Sequence, residues 1–268
     1  MNHNGIFSLS FPEAKTIIVS GDIHGDFNQL VFKLCIQYQL TDTLLIVAGD
    51  CGFGFEKKEY YEQMVRRNAK RMNQANNWIV FVRGNHDNPA YFDGTMFNFK
   101  HFIAVPDYAI LQACDHTILC VGGAISIDRI YRINEWNKRK YRVHSNESQE
   151  NDISRNSYWQ NEAPVYDPDK LNTIRANFLI DTVVTHTAPS YCELFSKSNL
   201  NQWAENDLSL IEDIQIERKT MDMLLHHLKT NNHPINHWYY GHFHQSWHSA
   251  INGILYQMLD IMEFCQIY

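Results

Sequence analysis

The sequence predicts an α/β protein with a parallel βαβ sheet and a second sheet that is antiparallel in part. Two observations predict this. Short apolar runs at Thr16–Ser20, Leu44–Val47 and Trp78–Val82 read as buried strands, and the segments between them read as helices. Strand, helix, strand, helix, strand is the pattern of a parallel βαβ sheet. Further on, three short β-like runs follow one another with only turn residues between them, which suggests a second sheet.

Taken in order, the run at 16–20 leads into Gly21-Asp22-Ile23-His24-Gly25. Residues 26–39 then place Phe27, Leu30, Val31, Leu34 and Tyr38 at helical spacing, an amphipathic helix that packs on a sheet. Asp26 is its expected N-cap. The strand within 42–48 ends in Gly49-Asp50-Cys51-Gly52, and the polar stretch 56–77 reads as a long surface helix. The strand 78–82 ends in Arg83-Gly84-Asn85-His86-Asp87.

The runs 101–105, 108–112 and 117–121 are the expected strands of the second sheet, the last ending in Gly122-Gly123. A polar insertion of about 128–169 follows. A helix at 170–178, with Pro168 near its start, precedes a strand at 181–185 that ends in His186. A long helix at 207–229 and a strand at 237–240 lead to Gly241-His242-Phe243-His244. Asn252-Gly253 between apolar runs is a hairpin signal. No repeat or linker divides the chain.

Composition narrows the function class. A chain of 268 residues with 44% hydrophobic content is expected to bury a substantial core. Its net charge of −7 argues against a general nucleic-acid or anionic-membrane binder. No run is long and apolar enough for a transmembrane helix, and residues 1–11 lack the pattern of a secretory leader. The six cysteines contain no CxxC pair and read as free thiols of a reduced cytoplasm.

The chemistry sits at the strand ends. Asp22 and His24, two residues apart in a locally extended segment, point the same way and can reach one point in space. Asp50, Asn85 with His86, His186, and His242 with His244 occupy the ends of four further strands. Loops at the carboxyl ends of strands bring distant residues together. The resulting inventory of Asp, Asn and His, without Cys, suits Mn, Fe or Zn and is too large for one tetrahedral ion. It is the right size for two. A carboxylate can bridge two cations, and Asp50 is the natural bridge. Asn85 supplies a neutral oxygen. His86, beside Asn85, is free to act as general acid toward a leaving-group oxygen.

These stretches, GDIHG (21–25), GDCG (49–52), GNHD (84–87), TH (185–186) and GHFH (241–244), resemble those of the calcineurin-like metallophosphoesterases. The resemblance runs from residue 16 to about 258. It implies a single domain over 1–268: a four-layer sandwich of two mixed β-sheets flanked by helices, with the metal site at the C-terminal ends of the strands. Carried over by position, Asp22, His24, Asp50 and His244 hold the first metal. Asp50, Asn85, His186 and His242 hold the second. His86 matches the histidine that lies beside the phosphate without binding metal. The implied activity is hydrolysis of a phosphomonoester or phosphodiester by a metal-bridging water.

Two alternatives stand beside this. One is a serine/threonine protein phosphatase. In that branch the second motif reads GDxVDRG, and its last Asp supports the catalytic histidine while its Arg grips the phosphate. Here Phe53 and Gly54 occupy those positions. Arg83, Arg129 and Arg132 are therefore candidates for the missing phosphate contact. The other alternative is a non-catalytic binding scaffold of the same fold, which the full ligand set weighs against. The basic, aromatic stretch from Arg129 to Arg142 reads either as a substrate flap, with cations for phosphates and aromatics for a base, or as a solvated loop. The stretch 159–162 is a candidate part of the same flap. A nucleotide or nucleic-acid substrate is compatible with the flap reading. No protein partner is implied. Asp87 is expected to orient its loop.

Overall fold

Alternation within each strand sorts the apolar side chains into three slabs, and these fix the layers. The computed structural model describes residues 2–3, 5–144, 158–192 and 200–268. In chain order the strands are β1 (Asn2–His3), β2 (Ile6–Ser10), β3 (Thr16–Ser20), β4 (Thr43–Val47), β5 (Trp78–Phe81), β6 (Asn98–Phe99) and β7 (Phe102–Ala104). They continue as β8 (Ala109–Ala113), β9 (His116–Val121), β10 (Thr182–Thr185), β11 (His237–Tyr240), β12 (Trp247–Ile251), β13 (Ile254–Met258) and β14 (Phe264–Ile267). The helices are α1 (Phe27–Phe32), α2 (Lys58–Ala75), α3 (Arg129–His144), α4 (Pro168–Asn177), α5 (Leu200–Ala204) and α6 (Leu210–Thr230).

The described strands form two mixed sheets. One has the order β14-β3-β4-β5-β7-β6, with β3, β4, β5 and β7 parallel. The other has the order β1-β2-β8-β9-β10-β11-β13-β12, with β9, β10, β11 and β13 parallel. Ile17, Val19, Leu44 and Ile46 face Leu111, Ile118, Cys120 and Val184 across the gap between the sheets. Their neighbours Ile18, Leu45 and Val47 turn outward onto α1 and α2, meeting Leu30, Tyr61 and Met72. On the far side, Leu119, Val183 and Trp238 meet Leu171 and Ile174 of α4 and Met221, Leu224 and Leu228 of α6. A period of two residues along a strand thus feeds both faces of each sheet. The order is helices, sheet, sheet, helices: the expected four-layer sandwich.

Several expectations are corrected. The helix read over 26–39 is an α-helix only to Phe32. It continues as a π turn over Lys33–Gln37, and Asp26 caps it through a bond from the Gln29 amide. The run 101–105 does not join the second sheet: β7 pairs parallel to β5 in the first. Residues 129–144 are helix rather than loop. Of the insertion read at about 128–169, residues 145–157 lie outside the described residues, as do the side chains of Arg139, Lys140, Tyr141 and Arg142. β2 and β14 were not anticipated. The Asn252-Gly253 hairpin forms as read, with both residues at positive φ (51° and 81°). Among the described residues, no helix is long and apolar enough to cross a membrane.

Candidate metal centre

The site lies where the carboxyl ends of the two parallel strand sets meet. β3, β4 and β5 deliver Asp22 with His24, Asp50, and Asn85 with His86; β10 and β11 deliver His186 and His242 with His244. The chain turns sharply at each exit. His24, Asp50, His242 and His244 all hold φ between 45° and 70°, a left-handed conformation that non-glycine residues adopt at a cost. The adjacent glycines admit close approach. A Cβ on Gly84 would collide with Asp50, and one on Gly49 with the His186 ring.

Ligand-type atoms gather in two groups. Those of Asp22, His24, Asp50 and His244 all lie within 4.8 Å of one another, and so do those of Asp50, His186 and His242. Asp50 belongs to both. His24 Nε2 and His244 Nε2 are 3.0 Å apart, and His244 Nε2 is 2.9 Å from Asp22 Oδ2. Asn85 Oδ1 joins the second group, 2.9 Å from His186 Nε2. His186 Nδ1 donates to the Ala48 carbonyl at 2.7 Å, so Nε2 is the nitrogen that faces the group and, in the neutral ring, carries the lone pair.

Asp22 is fully buried and Asp50 nearly so. Burial works to raise the Asp50 carboxyl, but the imidazoles of His86, His186 and His24 outweigh it and hold Asp50 well below the usual carboxylate range. Burial likewise opposes charge on His186, yet Asp50 and Asp22 push it up to about 9. Two buried carboxylates ringed by imidazoles make a pocket that stabilises positive charge. With an amide oxygen alongside, the donor set fits a pair of borderline divalent or trivalent cations.

His86 sits beside this cluster. Its Nε2 is 3.8 Å from Asp50 Oδ2 and 3.2 Å from Arg132 Nη2. Burial lowers its pKa, with Asp50 opposing and Arg132 assisting. Arg132 is steadied by Asp128 through Nε at 2.8 Å and lines the cavity over the site.

Arg83 and Arg129, expected to touch substrate, are not among the residues that line that cavity. Arg83 is 4% exposed, and its guanidinium donates to Asp107 at 2.9 Å and to the carbonyls of Asn161 and Glu162. Arg129 spans Asp207 and Asp213, tying the start of α3 to that of α6. Asp87 accepts from the amides of Cys51, Gly52, Phe53 and Gly84, so it locks the second and third motif loops together.

Phe53 packs inside an aromatic cluster with Phe27, Tyr61, Tyr91 and Phe97, and the Trp159 ring covers Gly54. The position of the phosphatase Asp is thus an apolar, aromatic slot, and a side chain at the position of the Arg would meet the Trp159 ring. Within the stretch 159–162, Trp159 covers the second motif loop, while Asn161 and Glu162 meet Arg83 and Ser126.

Sequence reasoning missed Ser126, Arg218 and Trp203, and it took Glu162 only as part of a flap. Ser126 and Glu162 support Asn85: its Nδ2 donates to Ser126 Oγ at 2.8 Å, and Ser126 Oγ donates to Glu162 Oε2. Arg218 and Trp203 line the cavity from α6 and α5. Ser126 lies just beyond the Gly122-Gly123 strand end, so the strand-end rule that found the other motifs could have found it. Arg218 and Trp203 carry no local signal, and nothing in the sequence ties Glu162 to Asn85.

The family model for calcineurin-like phosphoesterases matches residues 15–246. No curated protein matches the sequence. Among solved structures, the chain is similar to a phosphopantetheinyl hydrolase from Mycobacterium tuberculosis, with 14% identity over 92% of this chain and 89% of that one, TM-score 0.40. It is also similar to a dimetal phosphatase from Danio rerio, with 10% identity over 93% and 88%, TM-score 0.45. At those scores neither likeness carries an argument about function.

Proposed function

This chain belongs to the calcineurin-like phosphoesterase family, and we propose that it hydrolyses a phosphate monoester or diester at a dinuclear metal centre. Asp22, His24, Asp50 and His244 would hold one ion, and Asp50, Asn85, His186 and His242 the other. The observation that carries this reading is the Asp50 carboxylate, which belongs to both groups of ligand atoms. Such a pair of ions, when bound, acidifies water and polarises the phosphoryl group.

The residues of the chain supply the rest. His86 gives its proton to the departing ester oxygen. Asp50 raises the proton affinity of His86, offsetting part of the effect of burial. Arg132 offers its guanidinium to a non-bridging phosphate oxygen, held in place by Asp128. Asp87 keeps the loops of Asp50 and His86 in one register. Ser126 and Glu162 hold the Asn85 amide with its oxygen toward His186. The slabs of core join every layer, so we read residues 1–268 as one domain. Cys51, Cys120 and Cys192, free and buried, fit a reducing, cytoplasmic setting.

The test is hydrolysis of p-nitrophenyl phosphate and bis-p-nitrophenyl phosphate by Mn-loaded protein. Chelator-treated protein and an Asp50→Asn variant run beside it. Loss of activity in both controls is expected, and the ratio of the two rates assigns mono- or diester. Activity that survives chelation, or a chain that takes up no metal, overturns the reading.

A further inference from the structure

The cavity above the centre has a volume of about 590 Å³ and opens on His24, Asp50, Asn85, His86, His242 and His244. That size is typical of a pocket that encloses one small molecule, roughly 300–1,000 Å³. Much of the remaining lining is apolar. Ile125 and Ile127 come from the segment after β9, Trp203 from α5, Ile214 from α6, and Phe243 from the last motif loop.

The two charged groups that α6 adds to this lining, Glu217 and Arg218, already have protein partners. Glu217 accepts from the Ile125 amide and from Thr187 Oγ1. Arg218 donates to Thr187 Oγ1 and to the Ala188 carbonyl, and its guanidinium lies 4.9 Å from the centre of the Phe243 ring. A polyol or peptide entering here would shed water and meet few unclaimed donors or acceptors. An apolar ring would give up few hydrogen bonds to water and would pack against Trp203 and Phe243. Of the two arginines that line this cavity, Arg132 is the one next to His86, which suits the phosphate at one end of the ligand.

We propose that the alcohol esterified to the phosphate is a compact apolar group bearing a ring, seated between Ile125, Trp203, Ile214 and Phe243. This rests on the phosphoesterase reading and narrows it.

The test has two arms. The first compares kcat/KM for benzyl phosphate with ethyl phosphate, glycerol phosphate, O-phosphoserine and adenosine monophosphate, using Mn-loaded protein. All are esters of primary alcohols, so leaving-group chemistry is nearly matched. Each simple alcohol is also presented as its methyl diester. The benzyl ester is expected to lead by tenfold or more. Trp203→Ala and Ile214→Ala are each expected to bring the benzyl-to-ethyl ratio to within threefold.

The second arm measures binding of benzylphosphonate and methylphosphonate by calorimetry, which needs no turnover. Tighter binding of the benzyl compound by tenfold or more is expected. Benzylphosphonate preferred without hydrolysis of any ester sustains the pocket and removes the phosphoesterase reading. Hydrolysis with ratios within threefold, a lead by phosphoserine or the nucleotide, or equal binding of the two phosphonates overturns the proposal and leaves that reading in place.

Discussion

Ser126 Oγ takes the side-chain amide of Asn85 at 2.8 Å and passes a bond on to Glu162. Because an amide has a donor end and an acceptor end, this contact decides which of them faces His186. Ser126→Ala removes the decision without touching a donor atom of the centre. The expected result is a loss of about 10–100-fold in affinity for one of two cations, the usual effect of losing a supporting hydrogen bond. Competition against a chromophoric chelator reads it. Unchanged affinity in a protein with native circular dichroism would mean that packing alone orients Asn85.

Glu162 makes stability depend on pH. Burial pushes its carboxyl up to about 8. The folded chain therefore holds a proton there that the unfolded chain releases near its ordinary value of 4.5. Stability from this group is present in full below about pH 4.5 and declines as pH rises toward 8, by at most about 1.4 kcal/mol per pH unit. Denaturation midpoints of the chelated protein should fall across that window, and those of Glu162→Gln should fall less. Parallel curves for the two proteins would show that Glu162 is charged throughout.

Arg83 and Arg132 should separate by phenotype. Arg83→Met strands Asp107 and three carbonyls of the segment 161–163, at a cost of about 3 kcal/mol in stability. Arg132→Met should leave the denaturation midpoint nearly in place and raise KM for a phosphate ester about tenfold, the worth of one charge-assisted bond. A midpoint shift in the second variant as large as in the first would make Arg132 a structural residue.

His86→Gln tests the proton donor. An alkyl phosphate needs its leaving oxygen protonated, and p-nitrophenolate does not. Turnover of the alkyl ester should fall about 10²–10⁴-fold, and that of p-nitrophenyl phosphate much less. Equal losses on both would assign His86 to binding rather than proton transfer.

The strand ends were legible because both kinds of signal coincide there. Val47 and Phe81 close apolar runs that only a buried strand satisfies, and the Gly-Asp and Gly-Asn that follow break the pattern abruptly. The membership of β7 in the first sheet was not legible, since Phe102–Ala104 is apolar on either face and pairing is decided by the partner strand β5. β14 escaped for a similar reason: Phe264–Ile267 is short and gains its order from pairing with β3. Arg129 looked like a phosphate ligand because Asp207 and Asp213 lie far away in sequence. Charge patterns along a chain reveal which cations exist, not which acids will meet them.

The candidate donors are drawn from both sheets: Asp22, His24, Asp50 and Asn85 from one, and His186, His242 and His244 from the other. The facing surfaces of the sheets join through apolar side chains, whose contacts are non-directional where coordinate bonds are directional. Ions seated at this seam would act as rivets. They would close the chain between Asp22 and His244 into a loop spanning most of its length, and the cost of opening that loop would be borne by every unfolding event. Metal supply would then set how long each molecule survives as well as how fast it turns over, and starvation for metal would be felt first as proteolysis.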